Sequence, residues 1–284
     1  MSRIAIVTDS AACLPAELVS QYSIHVVPLV VVFGKQVYSD GVDLTAPQFY
    51  RMLREAKHPP TTSQPSLGAF RELYDELAGK SEGIVSIHVP ASLSGVPSTA
   101  EAAARLCPGV PIRVLDSGTA AMAEGFVTLA AARAAAAGGS LSQVVQTADA
   151  VISRVKLFAA LDTLDYLARS GRVPGVAALL GSILDLHPVF GLRHGRVHLE
   201  VRLRTKRFAT QYLLHQIAEG TGGMPVHAAV FHADAAAEAE RLRQQVADQF
   251  DCVELYVTEF TPVMGAHTGP GVIGVAFYAE PREE

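Results

Sequence analysis

The residues best suited to chemistry lie in three loops of the first half of the chain, each rich in hydroxyl or acidic side chains. The loops contain Thr8, Asp9 and Ser10; Ser92, Leu93, Ser94 and Gly95; and Asp116, Ser117 and Gly118. Each loop follows a short apolar run of the kind that forms a β-strand. Ligands of an open parallel sheet bind outside the carboxyl ends of its strands, so we expect the three loops to meet at one pocket.

Hydroxyl groups beside the start of a helix favour a small anion, because the first backbone N–H groups have no partner and the helix dipole is positive there. Ser94 and Gly95 precede a helix expected to begin near Ser98, so their loop suits a carboxylate or a phosphate. Serine also caps helices without binding any ligand. The spacing alone leaves both interpretations open.

Several familiar motifs occur in the wrong structural context. The GxGxxG pattern at 269–274 opens a strand-like run instead of a helix, which argues against dinucleotide binding. The GxSxG pattern at 79–83 has a helix before it and a strand after it, the reverse of a nucleophile elbow. His194 and His198 are separated by a hairpin expected near Gly195, so they do not form a metal pair. No P-loop motif is present, and any phosphoryl transfer from ATP would need a partner.

The elements around these loops alternate between strand and helix patterns, which predicts a mostly parallel α/β sheet. The predicted strands are Ile4–Val7, His25–Phe33, Ile84–Val89 and Ile112–Leu115. Capping-box pairs predict two helices, at 46–57 after Thr45 with Gln48 and at 141–154 after Ser140 with Gln143.

The pattern changes after residue 155 and predicts a second α/β domain with a mixed sheet. Its predicted elements are a strand KLFAAL, a helix at 164–169, a hairpin near Gly195, a helix at 205–219, a strand at 226–231, a helix at 235–250 and strands near 252–258 and 272–279. We therefore expect two domains, 1–155 and 156–284.

Composition narrows the class of protein. The 284 residues are 49% hydrophobic and 18% charged, and the net charge of -5 includes no long basic run, which argues against nucleic-acid binding. Three widely spaced cysteines argue against a disulfide framework and a zinc knuckle. The apolar run from Val26 to Phe33 is too short to span a bilayer. We expect a cytoplasmic protein without a metal or other cofactor.

A set of motifs in order along nearly the whole chain resembles the DegV family of fatty-acid-binding proteins. The motifs are VTDSAACLP at 7–15, TTSQPS at 61–66, PASLSG at 90–95, VLDSGTA at 114–120, LDTLDYLARSGRV at 161–173, LHPVFGLRHGRV at 186–197, VRLRTKRFA at 201–209 and GAHTGPG at 265–271. The resemblance implies a carrier that encloses one long-chain fatty acid. Some bacterial relatives are binding subunits of a fatty-acid kinase, in which a separate ATP-binding subunit makes the acyl phosphate for phospholipid metabolism. Transient membrane contact is compatible with that role.

The resemblance also assigns roles to individual residues. Thr62 and Ser94 match the hydroxyls that bind the fatty-acid carboxylate, Gly95 offers a backbone donor, and His267 matches a histidine beside the head group. Hydrogen bonds to an ionised carboxylate keep it charged when it is partly buried. By itself, the chain would then be a carrier and not an enzyme.

Other parts of the matched motifs bear on the partner and on the acyl chain. Arg172 and Arg202 fall in basic segments that, by resemblance, contact the kinase or a phosphate, although each is equally explained as a solvated surface charge. The apolar segment 176–186 is a candidate wall of the acyl cavity or ordinary core. Chain length and saturation of the ligand stay open.

Two other functions remain compatible with the sequence. The first is an acyl or phosphate ester hydrolase with Ser94 as nucleophile, His267 as base and Asp9 or Asp116 in support. The second is a lipid-responsive regulatory protein that uses the basic stretch 193–207 as its interface.

Overall fold

The structure is a computed structural model, and it describes residues 3–176, 178 and 186–280. Within these ranges the strands are β1 (Ile4–Asp9), β2 (His25–Val27), β3 (Val30–Phe33), β4 (Gln36–Ser39), β5 (Thr61–Ser63), β6 (Gly83–His88), β7 (Ile112–Asp116), β8 (Lys156–Ala160), β9 (His187–Arg193), β10 (Arg196–Leu203), β11 (Val226–His232), β12 (Cys252–Glu259) and β13 (Ile273–Ala279). The helices are α1 (Ala16–Gln21), α2 (Ala46–Glu55), α3 (Leu67–Ala78), α4 (Val96–Arg105), α5 (Ala121–Ala136), α6 (Leu141–Ile152), α7 (Asp165–Ser170), α8 (Lys206–Thr221), α9 (Ala236–Gln249) and α10 (Pro262–Thr268).

The first sheet is parallel, as the sequence predicts, with strand order β2-β1-β6-β7. Strand β6 lies between β1 and β7 and is buried along its whole length, including its polar residues Ser86 and His88. Strands β1, β6 and β7 end at the same edge of the sheet, so the loops that follow them are neighbours.

The second sheet is mixed, which confirms the prediction for the second half of the chain. Its order is β10-β9-β8-β13-β11-β12, and only β11 and β12 pair in parallel. Helices α8 and α9 cover one face through a core that includes Leu213, Leu242 and Val246. The opposite face joins the larger core together with the parallel sheet.

Helix α5 lies between the two sheets and contacts β1 on one side and β13 on the other. Almost all of its residues are buried, which its alanine-rich, all-round apolar sequence permits. Arg133 on this helix donates hydrogen bonds to Glu254 on β12, with Nη1–Oε1 and Nη2–Oε2 distances of 2.9 and 2.5 Å. Burial alone would raise the pKa of Glu254, but hydrogen bonds from His227, Arg133 and Tyr256 lower it to about 2.

A small antiparallel sheet, with order β4-β3-β5, corrects one prediction. The predicted single strand 25–33 is wrong, because β2 ends at Val27 and β3 begins at Val30 in a different sheet. Pro28 between them has no N–H group to donate to a ladder. The new sheet matters for function because β5, paired with β3, carries Thr62 opposite Val31.

The predicted local signals agree with the observed elements. Both capping boxes form, since Gln48 and Gln143 accept from the backbone N–H groups of Thr45 and Ser140 at 2.9 and 2.8 Å. Helix α2 ends two residues earlier than predicted, at Glu55. The β9–β10 hairpin turns at His194 and Gly195, whose φ angles of 48° and 74° suit a two-residue turn.

Candidate functional site

A cavity of about 520 Å³ lies between the carboxyl edge of the parallel sheet and the mixed sheet. Its walls are mostly apolar and include Leu157 and Ala159 on β8 and Phe190 and Leu192 on β9. The volume lies within the range of about 300–1,000 Å³ that is usual for small-molecule sites. A few polar side chains from the loops and from β5 and α10 gather in one part of this apolar wall.

Thr62 and His267 form a hydrogen-bonded pair within that polar part. The distance between Thr62 Oγ1 and His267 Nε2 is 2.8 Å, although the residues are 205 positions apart in the sequence. Burial, followed by the positive charge of Arg172, lowers the pKa of His267 to about 4. His267 is therefore neutral near pH 7, and its pair with Thr62 is a neutral donor and acceptor.

Ser94 and Gly95 line the same cavity immediately before α4, which begins at Val96, two residues earlier than predicted. Ser94 Oγ accepts a long hydrogen bond from Val96 N, at 3.4 Å. A Cβ atom at Gly95 would overlap the amide oxygen of Gln64, so a side chain there would displace Gln64. Gln64 is fixed by a hydrogen bond of 2.8 Å from its Nε2 to Thr99 Oγ1.

The three predicted loops do meet at one edge, although Thr8 and Asp9 are the last residues of β1 and Asp116 is the last residue of β7. Only the middle loop presents its hydroxyls to the cavity. Asp9 Oδ2 accepts from His88 Nδ1 at 3.0 Å and from Val89 N at 3.1 Å. Asp116 accepts from backbone N–H groups, including that of Ala91 at 2.9 Å. Thr8 is fully buried, and Ser117 is only 1% exposed. The first and third loops therefore support the site and do not line it with polar groups.

The arrangement does not favour a hydrolase. Within the described part of the chain, the observed partner of His267 is Thr62, and no hydrogen bond joins His267 to Ser94. The carboxylate of Asp9 is bound to His88 and to backbone N–H groups. The nucleophile, base and acid expected for that alternative are thus not assembled.

The two candidate arginines lie in different places. Arg172 lines the cavity, and its Nη1 donates to Ser170 O at 2.5 Å. Arg202 is exposed on the edge strand β10, opposite Pro188, and is not part of the cavity wall. The structure therefore brings Thr62, Ser94, Gly95, His267 and Arg172 together and leaves Arg202 outside.

Comparison with known proteins gives the family of this chain. A family model described as "Uncharacterised protein, DegV family" matches residues 3–280. The chain belongs to the DegV family. A DegV domain-containing protein of Streptomyces coelicolor is 42% identical over 281 residues, which cover 97% of this chain and 98% of that protein.

Solved DegV structures share the whole fold. A DegV family protein from Thermus thermophilus, described as binding fatty acid, is 32% identical with a TM-score of 0.92 and covers 98% of this chain and 100% of its own. DegV from Bacillus subtilis, described as a fatty acid binding protein, is 30% identical with a TM-score of 0.91 and covers 99% and 100%. The cavity of this chain thus lies in a fold that binds fatty acids in relatives.

Sequence reasoning about the DegV motifs missed two features of the site. Gln64 lies inside the TTSQPS motif and faces Gly95, but only the folded chain shows that the two touch. The apolar wall from β8 and β9 was also missed, although alternation along KLFAA places Leu157 and Ala159 on one face and Phe158 on the other. The predicted wall at 176–186 lies largely outside the described residues. Val176, which the structure does describe, is buried.

The described residues offer neither a membrane-spanning helix nor a cluster of metal-binding side chains. Among the described residues, no helix combines the length and the apolar character needed to cross a bilayer. The same residues contain no group of three or more histidine, cysteine, aspartate or glutamate side chains placed to bind a metal ion.

Proposed function

We propose that this protein binds one long-chain fatty acid in the cavity and holds its carboxylate at Thr62, Ser94, Gly95 and His267. The observation that carries the proposal is the form of the cavity, which is an apolar enclosure with the Thr62–His267 pair in its wall. The fatty-acid binding of the two solved relatives supports it.

Proton positions in the pair suit an anionic head group. A neutral His267 can donate from Nε2 to Thr62 Oγ1, which leaves the threonine hydroxyl proton free to donate to a carboxylate oxygen. The hydroxyl of Ser94 can supply a second donor, and the guanidinium of Arg172 adds a positive charge to the same wall. Such hydrogen bonds to an ionised acceptor are stronger than bonds between neutral groups.

The acyl chain would lie along the apolar walls. Burial of methylene groups contributes about 0.8 kcal/mol each, so a long chain can bind tightly after the ordering costs are met. In this proposal residues 1–155 form the domain that supplies Thr62 and Ser94, and residues 156–284 form the domain that supplies His267 and most of the apolar wall.

We further propose that the protein is the carrier subunit of a cytoplasmic fatty-acid kinase. A separate ATP-binding subunit would transfer the γ-phosphoryl group to the bound carboxylate, giving an acyl phosphate and ADP. Arg172, at the polar part of the cavity, would face the transferring phosphate, and the exposed Arg202 would contact the kinase. This part of the proposal is supported by the family resemblance.

The basic stretch 193–207 carries less free positive charge for contact with a partner than its sequence indicates. Arg193 pairs with Glu200 at 3.1 Å, and Lys206 pairs with Asp162 at 2.5 Å. Part of its charge is therefore neutralised within the protein, and a purely regulatory interface built on this stretch gains no specific support.

A reconstitution with an ATP-binding kinase subunit tests the two levels of the proposal separately. Delipidated protein is first titrated with palmitate by calorimetry, and the loaded protein is then incubated with the kinase subunit and ATP. We expect binding of one palmitate, followed by an acyl phosphate that hydroxylamine traps. Binding without any product would refute the kinase role alone, whereas no binding would refute the carrier function. Arg172→Ala should lower product formation more than palmitate affinity, and exposed Arg51→Ala is the matched control.

A further inference from the structure

A chain of four hydrogen-bonded side chains lies in the core between α3 and the parallel sheet. Tyr74 O–H donates to Ser86 Oγ at 2.8 Å, and Ser86 Oγ lies 2.7 Å from His88 Nε2. His88 Nδ1 lies 3.0 Å from Asp9 Oδ2. All four residues are completely buried, and His88 packs edge-on against the ring of Phe70.

The donors in this chain point in one direction. The single hydroxyl proton of Tyr74 is directed to Ser86, so the hydroxyl proton of Ser86 is free to be donated to Nε2 of His88. The ring proton of His88 is then on Nδ1 and is donated to Asp9. Geometry thus selects one tautomer of His88.

Asp9 connects this chain to the cavity wall. Its carboxylate also accepts hydrogen bonds from Ala11 N at 3.0 Å and from Val89 N at 3.1 Å, and both of these residues line the cavity. Val89 immediately precedes the turn that carries Ser94. The backbone N–H of Ser94 closes this turn by donating to Pro90 O at 3.1 Å.

The residue types resemble a Ser-His-Asp catalytic triad, but the arrangement does not suit catalysis. Ser86 Oγ is enclosed between Tyr74 and His88, and none of the four side chains reaches solvent. A nucleophile must contact its substrate. The chain reaches the cavity wall through the backbone groups that Asp9 holds.

We propose that Asp9 and His88 are positioning residues for the fatty-acid carboxylate, an inference that rests on the proposed function. The His88 ring, fixed as the Nδ1–H tautomer by Ser86, orients the Asp9 carboxylate, which holds Ala11 and Val89 and thereby sets the position of Ser94. A second aspartate, Asp116, holds Ala91 in the same turn.

The test compares palmitate affinity with thermal stability in four variants. His88→Leu removes the donor to Asp9 and should weaken palmitate binding by the folded protein at least tenfold. His88→Asn restores an N–H donor near the position of Nδ1 and should bind within about threefold of wild type. Ser86→Ala should lie between these two. Thr221→Val removes a buried hydroxyl group at the end of α8 and is the control for the loss of a polar group elsewhere in the core.

The readouts separate positioning from a purely structural role. If His88→Leu and Ser86→Ala lower the melting temperature but bind palmitate like wild type, the inference is overturned. If His88→Leu does not fold, Ser86→Ala and His88→Asn decide the question by the same affinity criterion. Nitrogen-15 spectra of ring-labelled histidine must also show the Nδ1–H tautomer for His88, and the Nε2–H tautomer would contradict the inference. A wild-type protein that fails to bind palmitate would instead refute the proposed function.

Discussion

Replacing Thr62 with valine should weaken fatty-acid binding through the loss of one hydroxyl. Valine has nearly the same shape, and β-branched residues suit strands, so β5 and its pairing with Val31 should persist. The variant removes the Thr62 hydroxyl, which lies 2.8 Å from His267 Nε2 and which would donate a hydrogen bond to the carboxylate. A hydrogen bond to a charged group contributes about 1.5–3 kcal/mol, so the Kd for palmitate should rise about 10- to 150-fold.

Calorimetric titration of delipidated wild type and Thr62→Val with palmitate measures this change directly. Methyl palmitate serves as the matched ligand, because it keeps the acyl chain but lacks the negative charge. We expect the variant to lose affinity for the acid and to retain that for the ester. Equal affinity of both proteins for palmitate, with unchanged stability, would refute the assignment of Thr62 to the head group.

Three further predictions concern the acyl chain, the glycine before α4 and the acid response. Each methylene removed from the ligand should raise Kd about fourfold, so myristate should bind about 15-fold more weakly than palmitate in calorimetry. Gly95→Ala should displace Gln64 and raise the Kd for palmitate at least threefold in the same assay. Arg133→Met should lower stability at pH 7, and thermal denaturation should show this deficit shrinking between pH 4.5 and about 2. The sign follows because the folded-state pKa of Glu254, about 2, lies below its ordinary value of 4.5. The stabilisation is therefore present above the ordinary value and is lost as the pH falls.

Control variants and contradicting results make these predictions testable. Equal affinities along the fatty-acid series would argue against an apolar acyl site. Gly68→Ala places a methyl group at an exposed position of α3, 3.6 Å from Ser66 Oγ, and should leave affinity unchanged. Arg105→Met removes an exposed pair with Glu101 and should show little pH-dependent deficit. A deficit of Arg133→Met that is constant with pH would contradict the role given to Glu254.

Local signals in the sequence predicted much of the framework. Capping boxes at Thr45 and Ser140 fixed the starts of α2 and α6 because their partners lie only three residues away. Alternating strands and helices predicted the parallel sheet, and the loop before α4 was correctly placed at its carboxyl edge. The prediction of one strand over 25–33 was wrong because this apolar run contains Pro28 and forms two strands that belong to different sheets.

Long-range contacts account for what the sequence could not predict. Spacing alone could not pair Thr62 with His267 across 205 residues. Spacing could not assign Asp9 to His88 either, because the two residues are 79 positions apart and lie on different strands. The hydroxyls of Thr8 and Ser117 were predicted beside the ligand but are buried in the protein, because Thr8 donates to Glu124 on α5 at 3.3 Å and Ser117 donates to Thr119 O at 2.9 Å.

Mass spectrometry of an organic extract of the purified protein tests the central claim most directly. The extract of wild type is compared with that of a Thr62→Val, Ser94→Ala double variant prepared in the same way. The account predicts about one long-chain fatty acid per wild-type chain and much less in the variant. A wild-type protein that carries no fatty acid and takes up none when it is offered would contradict the account.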